Sequence, residues 1–562
     1  MDTTYKIVIA AILIVSLLII KGIYDERLYK KRLYNRLKNT WGQPSGREYS
    51  NEVFQAIKYY YSQNISETDI DDITCNDLDM DAVFMQINHT MTSIGEECLY
   101  ALLRKPCTDI SVLEERENTI NCIQADEEER IKLQMALAGM GRLEKISVYS
   151  YIKEINSMDK GNRLYHICCG ASLAISLCLC IVNPAVMVLV TALLIIHNVI
   201  TYYKSKAKAD PYIRVFTFIS RIIRQAESIA DTGIAGLGGY KDRLVACTRS
   251  LKKFNKNIWL VAGGNMNGDI LDSAMDYLRI LFHIDLIKIS SMAGELKKHE
   301  KELNTIYNIT GYIDSMASIA SFRAGAGHFC IPVLYKAKGR KDISMDFTNL
   351  YHPLLEKPVK NSINAGKSIL VTGSNASGKS VFIKTVAINA IFAQTIHTVL
   401  ADSYNSCFFH IYSSMALRDD IFTNESYYIV EIKSLKRIID KADKADTPVL
   451  CFIDEVLRGT NTLERIASSS QILKYISEAS AMCYAATHDL ELAKMLQGSF
   501  DNYHFEETVE DGNVVFDYKL RKGTTKTRNA IKLLDMIGYK QVITKGAERA
   551  AQFFLENGFW TV

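Results

Sequence analysis

Residues 368–391 read SILVTGSNASGKSVFIKTVAINAI. The first five, Ser368 to Thr372, are an apolar run of strand length. Gly373-Ser374-Asn375-Ala376-Ser377-Gly378-Lys379-Ser380 then fits GxxxxGK[ST], and an apolar helical pattern follows. Strand, glycine loop and helix in that order is the context that turns the pattern into a phosphate-binding loop. Backbone N–H groups and a helix N-terminus converge there on phosphate oxygens. On this reading Lys379 reaches the β- and γ-phosphates of ATP, and Ser380 ligates Mg²⁺.

Downstream, Pro448-Val449-Leu450-Cys451-Phe452-Ile453-Asp454-Glu455 is an apolar strand ending in two carboxylates. Hydrophobics before Asp-Glu are a weak pattern alone and a strong one after a phosphate loop. Asp454 is expected in the Mg²⁺ shell, and Glu455 is expected to position and polarise the attacking water. A third element, Ala485-Ala486-Thr487-His488-Asp489, ends another apolar run. A lone histidine is more often structural, but at the end of a sheet strand His488 can contact a γ-phosphate. The expected catalytic set is therefore Lys379, Glu455 and His488.

Around this core, the 562 residues suggest several structural units. Hydrophobic residues make up 48% and charged residues 23%, which excludes a disordered or collagen-like chain. Eight prolines favour long helices. A net charge of +3 is too balanced to signal nucleic-acid binding through bulk electrostatics. The 13 cysteines show no CxxC pair, which argues against a zinc ribbon and for reduced thiols.

Two regions read as membrane segments. Ile7 to Ile20 is IVIAAILIVSLLII, uncharged. At about 1.5 Å per residue it falls short of a hydrocarbon core of ~30 Å. Tyr5, Lys6, Lys21 and Tyr24 extend it to interfacial depth, giving an anchor over 5–24. The basic stretch DERLYKKRLYNRLK that follows places the N-terminus outside and the chain after it in the cytoplasm. Residues 164–203 divide at Asn183-Pro184 into two apolar halves, as expected of a transmembrane hairpin; a buried hairpin in a soluble core is the other reading. The expected localisation is the cell membrane, multi-pass, with membrane lipid as a partner. Helical patterns cover 25–163 and 204–343. From 344 to 562, short strand-like runs alternate with helical ones, as in an α/β domain with a parallel sheet. The fold class expected is an α/β ATPase domain at the C-terminus, preceded by an all-α region with transmembrane helices.

With these elements in place, the chain resembles the MutS family, whose ABC-type ATPase domain is known from DNA mismatch repair. In MALRDDIFTNESYYIVEIKSLKRII, residues Ser426, Tyr427, Tyr428, Val430 and Glu431 look like the family segment that reaches the partner subunit's γ-phosphate across a dimer. The resemblance assigns that role to Ser426 and implies a homodimer. Arg458-Gly459-Thr460-Asn461-Thr462 resembles the family's RGTST turn at the dimer interface. Tyr351-His352-Pro353 resembles the segment that opens the domain. Val359, Lys360 and Asn361 fall where the family packs against adenine, and DYKLRKGTTKTRNAIKLLDMIGY resembles its closing strand and helix. Thr92-Ser93-Ile94-Gly95-Glu96 with LYALLRKPCTDISVLEERENTI, and Tyr312 to Ala324, are similar to the two ends of the MutS lever. The likeness covers about 75–130 and 300–540.

Departures are also visible. Too little chain precedes residue 75 for the family's mismatch-reading and connector domains, and no Phe-x-Glu wedge is seen. The hairpin occupies the middle of the lever. Asn424-Glu425 replaces a glycine-containing approach, and Leu457 replaces a glycine. Basic runs that could meet DNA are Arg249, Lys252, Lys253 and Lys256 with Phe254 and Trp259; Lys297, Lys298 and Lys301; and Lys336, Lys338, Arg340 and Lys341. Anionic lipid or a solvated helix face are the alternatives. The functional expectation is a membrane-anchored MutS-like ATPase that couples a dimeric ATP cycle to DNA binding in mismatch repair or recombination. An ATP-gated membrane scaffold without a DNA substrate is the alternative. A transporter half fits poorly, since three spans are too few for a translocation path.

Overall fold

The computed structural model describes residues 3–560 except 144, 155–162, 257–269, 375–376, 416–426, 445, 511–512, 525–530, 532–533 and 535–536. By packing, the chain forms two units: residues 1–64, 88–101 and 118–325, and residues 65–87, 102–117 and 326–562.

The first unit is helical. Asp126 caps the helix Glu127–Met140 by accepting from Glu128 N and Glu129 N, and three glutamates in the first turn complement the helix dipole. The buried helix Glu300–Gly325 is the axis of the unit. Asp314 on this helix accepts hydrogen bonds from Met91 N at 2.9 Å, Thr92 N at 2.9 Å and Thr92 Oγ1 at 2.7 Å. It thereby fixes the two residues that lead into the helix Ser93–Leu103, whose Gly95 N is capped in turn by Thr92 Oγ1 at 2.9 Å. Burial raises the Asp314 carboxyl to about 6, against the lowering effect of those bonds. The two helices approach closely because Gly95 and Gly311 face each other's side chains. A Cβ on Gly95 would lie 2.2 Å from Asp314 Oδ2, and one on Gly311 2.2 Å from Cys98 Sγ.

In the apolar block 164–203 the helix Arg163–Leu179 ends before Asn183-Pro184, and Pro184 opens the next helix at a position where its missing N–H is not needed. That second helix does not stop near 203. It continues as Pro184–Ala230, because Phe216, Ile219, Ile223 and Ala226 keep a helical spacing and are buried. On the hairpin, Ile175, Leu179, Val188, Leu189, Leu193, Ile196 and Ile200 are exposed. The hairpin also has polar ties that its lack of charge did not suggest. Asn198 Nδ2 donates to Cys169 O at 3.1 Å and to Leu281 O at 2.9 Å, and His166 Nδ1 lies 2.9 Å from His283 Nδ1. Three spans were expected. Among the described residues, one helix segment, Pro184–Ala207, is long and apolar enough to cross a membrane, and Arg163–Leu179 is a shorter apolar helix. Residues 5–24 belong to the helix Thr3–Asn39, whose C-terminal half is strongly charged.

Of the basic–aromatic run, Phe254 is buried and packs edge-on against Phe216 at 6.0 Å, so its ring is not available for stacking on a base. Trp259 lies outside the described residues.

Among the described residues, the second unit holds two sheets. A four-stranded one has the order β1-β5-β2-β3, with β1 Val333–Tyr335, β2 Met345–Leu350, β3 Asn361–Ala365 and β5 Ser403–Cys407. The six-stranded sheet has the order β10-β9-β4-β8-β7-β6. Its members are β4 Ser368–Thr372, β6 His410–Ser414, β7 Val449–Asp454, β8 Ala481–Thr487, β9 Phe500–Glu510 and β10 Asn513–Lys522. All its neighbouring pairs are parallel except β9 with β10. β4, β7 and β8 are buried along their whole length, which is why they read as continuous apolar runs rather than alternating ones. Their register aligns Thr372 with Thr487 and Asp454 with Ala486, so the carboxyl ends of three strands open at one level.

The expected boundaries treat 25–163 as one region, whereas packing places 65–87 and 102–117 with the sheets. The reason is the edge strand β6. The helix Asp72–Asp77 covers it: Thr74 Oγ1 accepts from Ser413 N at 3.1 Å, and Asp77 Oδ2 accepts from Ser413 Oγ at 2.6 Å and Met415 N at 3.0 Å. An unpaired strand edge is thereby closed. Arg437 to Asp71 at 2.5 Å and Lys384 to Asp79 at 2.7 Å add ion pairs.

Candidate functional site

The site lies at the carboxyl ends of β4 and β7, where ligands bind in open α/β sheets. After β4 the chain turns through Gly373 and Gly378 and enters the helix Lys379–Thr395. Gly378 has φ +101°, a region that side chains rarely adopt, and a Cβ there would lie 3.0 Å from the Tyr518 ring. Ser377 is buried, its Oγ without a hydrogen-bond partner among the described residues, and Ser374 Oγ donates to Glu507. Asn375 and Ala376 lie outside the described residues, as does Ser426.

Lys379 is buried, and its Nζ donates to Gly373 O at 2.8 Å and Ser374 O at 2.7 Å. Burial lowers its ammonium to about 8, with Asp454 and Glu455 acting the other way. Ser380 Oγ donates to Asp454 Oδ2 at 2.5 Å. Glu455 is held from two sides: His488 Nε2 lies 2.5 Å from its Oε1, and Arg458 Nε lies 2.5 Å from its Oε2. The hydrogen bond from His488 holds the Glu455 carboxyl below its ordinary range, against the raising effect of burial. His488 Nδ1 is in turn 3.0 Å from Gly373 O. The expected residues Lys379, Ser380, Asp454, Glu455 and His488 therefore form one connected cluster.

A cavity of about 630 Å³ opens on this cluster, lined by Ser374, Gly378, Lys379, Ser380, Asp454, Glu455 and, on the far side, His352, Pro358, Val359, Asn361 and Tyr518. Val359 and Asn361 are among its lining residues. The Asn361 amide, however, is occupied: Nδ2 donates to Tyr518 O at 3.1 Å, and Oδ1 accepts from Leu520 N at 2.8 Å. It braces an irregularity in β10 between Phe516 and Leu520, where Tyr518 takes φ +53°. Tyr518 and Glu507 were not singled out from the sequence, because no local pattern marks them. Pairing of β9 beside β4 and of β10 beside β9 brings them to the glycine loop.

A mostly parallel sheet with a glycine loop, a buried lysine and two carboxylates at its carboxyl end defines a mixed α/β domain with a cavity at that end. Residues 369–554 match the family model for MutS domain V. Among curated proteins, the chain is 29% identical to "MutS protein homolog 4" of Homo sapiens over 276 residues, 46% of this chain and 28% of that protein. It is 28% identical over 268 residues to "DNA mismatch repair protein MutS" of Lactobacillus acidophilus, covering 45% of this chain and 30% of that one. The protein of the same description from Halalkalibacterium halodurans is 27% identical over 267 residues, 45% and 30% of the two chains. The matches thus span less than a third of the length of these relatives.

Proposed function

We propose that the chain is a MutS-type ATPase that binds and hydrolyses Mg-ATP at the cavity between the glycine loop and the end of β7. The observation that carries this reading is the convergence of Lys379, Ser380, Asp454 and Glu455 on one cavity, with His488 behind them against Glu455 and Lys379, within a segment matching MutS domain V. Relatives described as DNA mismatch repair proteins support a role coupled to DNA, in repair or recombination.

The residues fit ATP and Mg²⁺. Ser380 Oγ and Asp454 Oδ2 are adjacent hard oxygen donors, the kind Mg²⁺ selects. Mg²⁺, when bound, neutralises phosphate charge. Lys379 would exchange its loop carbonyls for phosphate oxygens, and the N-terminus of its helix would add backbone donors. Glu455, held by His488 and Arg458, would orient and polarise the attacking water. Val359 and Tyr518 would bound the base. In a homodimer, Ser426 would complete the partner's site. Because Lys379 must be protonated to hold phosphate, binding should take up a proton above pH 8. Affinity for a fluorescent ATP analogue should then weaken as pH rises past 8, approaching about tenfold per unit. A flat profile from pH 7 to 10, or Lys379→Ala binding as well as wild type, would refute the site.

We place the protein at the cell membrane, multi-pass, with membrane lipid around the hairpin and the ATPase domain in the cytoplasm. The exposed apolar side chains of the helices Arg163–Leu179 and Pro184–Ala207 support this. The same exposed band favours a second reading, an ATP-gated membrane scaffold without a DNA substrate. Salt-titrated binding of the detergent-solubilised protein to homoduplex, mismatched and branched DNA separates the two. The DNA reading expects affinity that falls with salt, and no salt-dependent binding to any of the three leaves the scaffold.

A further inference from the structure

Glu431 lies in the helix Tyr427–Ala442, away from the cavity lining, and is 4% exposed. Its Oε1 accepts from Leu457 N at 2.5 Å. Leu457 sits in the turn that follows Asp454-Glu455. Two of the three residues in 455–457 are left-handed without being glycine: Glu455 at φ +59° and Leu457 at φ +60°. A side chain in that region is strained, and such strain persists only where surrounding structure holds it. The helix packs directly on the turn, since a Cβ on Gly459 would lie 3.2 Å from Tyr428 Cβ. The next residue, Arg458, is the one whose guanidinium holds Glu455.

We propose that Glu431 is a positioning residue for hydrolysis: by gripping Leu457 N–H it holds the strained turn that presents Arg458 to Glu455. The carboxylate does not reach the reacting atoms and acts only through this turn. The inference rests on the ATPase reading above and adds to it a control on the orientation of Glu455.

The test is steady-state ATP turnover by the full chain, with Glu431→Ala, Glu431→Gln, Leu457→Gly and the double variant Glu431→Ala/Leu457→Gly. Glu431→Ala should lower kcat about tenfold with KM for ATP within about twofold, as expected for misplacement of a catalytic group rather than loss of binding. Glu431→Gln should recover most of kcat, because the carboxamide oxygen accepts the same bond. Leu457→Gly in the alanine background should also recover part of it, because glycine adopts positive φ without steric cost. The proposal is overturned if Glu431→Ala keeps wild-type kcat, if KM rises while kcat holds, or if neither glutamine nor the added glycine restores turnover. Should the alanine variant not fold, a folded Glu431→Gln with kcat tenfold down overturns it equally, and one near wild type supports it. A wild-type protein without turnover would instead overturn the ATPase reading itself, which keeps the two failures distinct.

Discussion

Glu455→Gln is expected to retain Mg-ATP and hydrolyse it roughly 10²–10⁴-fold more slowly, the range that a positioned general base supplies. The substitution keeps the size of the side chain and one acceptor oxygen for Arg458 or His488 while removing the carboxylate that polarises water. Binding should persist because Lys379, Ser380 and the glycine loop are untouched. Single-turnover phosphate release, read beside nucleotide retention, separates the two effects. Release within threefold of wild type would remove Glu455 from the chemistry and leave a nucleotide-gated scaffold as the better reading.

Asp314→Ala should destabilise the helical unit by several kcal/mol, since a buried donor left without its acceptor costs roughly 1–3 kcal/mol. Two backbone N–H groups and the Thr92 hydroxyl would lose their acceptor at a site where Asp314 is fully buried. Gly95 makes the effect specific. It leaves room for the carboxylate against the first turn of Ser93–Leu103, so alanine would leave a void as well as unpaired donors. Denaturant unfolding followed by far-UV circular dichroism measures this, and a shift below about 1 kcal/mol would mean that water replaces the carboxylate.

Much of the candidate site was legible because its residues are consecutive. Glycine loop, lysine and serine must adjoin a strand end and a helix start, and Asp454-Glu455 must end a strand. Such local requirements leave short patterns. The asparagine–proline turn of the hairpin was legible for the same reason. The continuation of Pro184–Ala230 beyond the apolar block was harder to see, since its core face changes from uniformly apolar to a spaced set. The basic–aromatic run misled at Phe254, because composition does not say which way a ring points.

Sequence alone determined that a phosphate-type loop and an acidic strand end exist in an α/β region, and that long apolar helices precede it. Only the tertiary structure decided that the helix Asp72–Asp77 closes the sheet's edge, that Tyr518 covers Gly378, and that Glu431 grips the turn after Glu455. The physical reason is range. A strand edge, a ring over a glycine and a buried carboxylate find their partners across 26 to more than 300 residues, as with Glu431–Leu457 and Asp77–Met415, and no periodicity of 2 or 3.6 records such pairings.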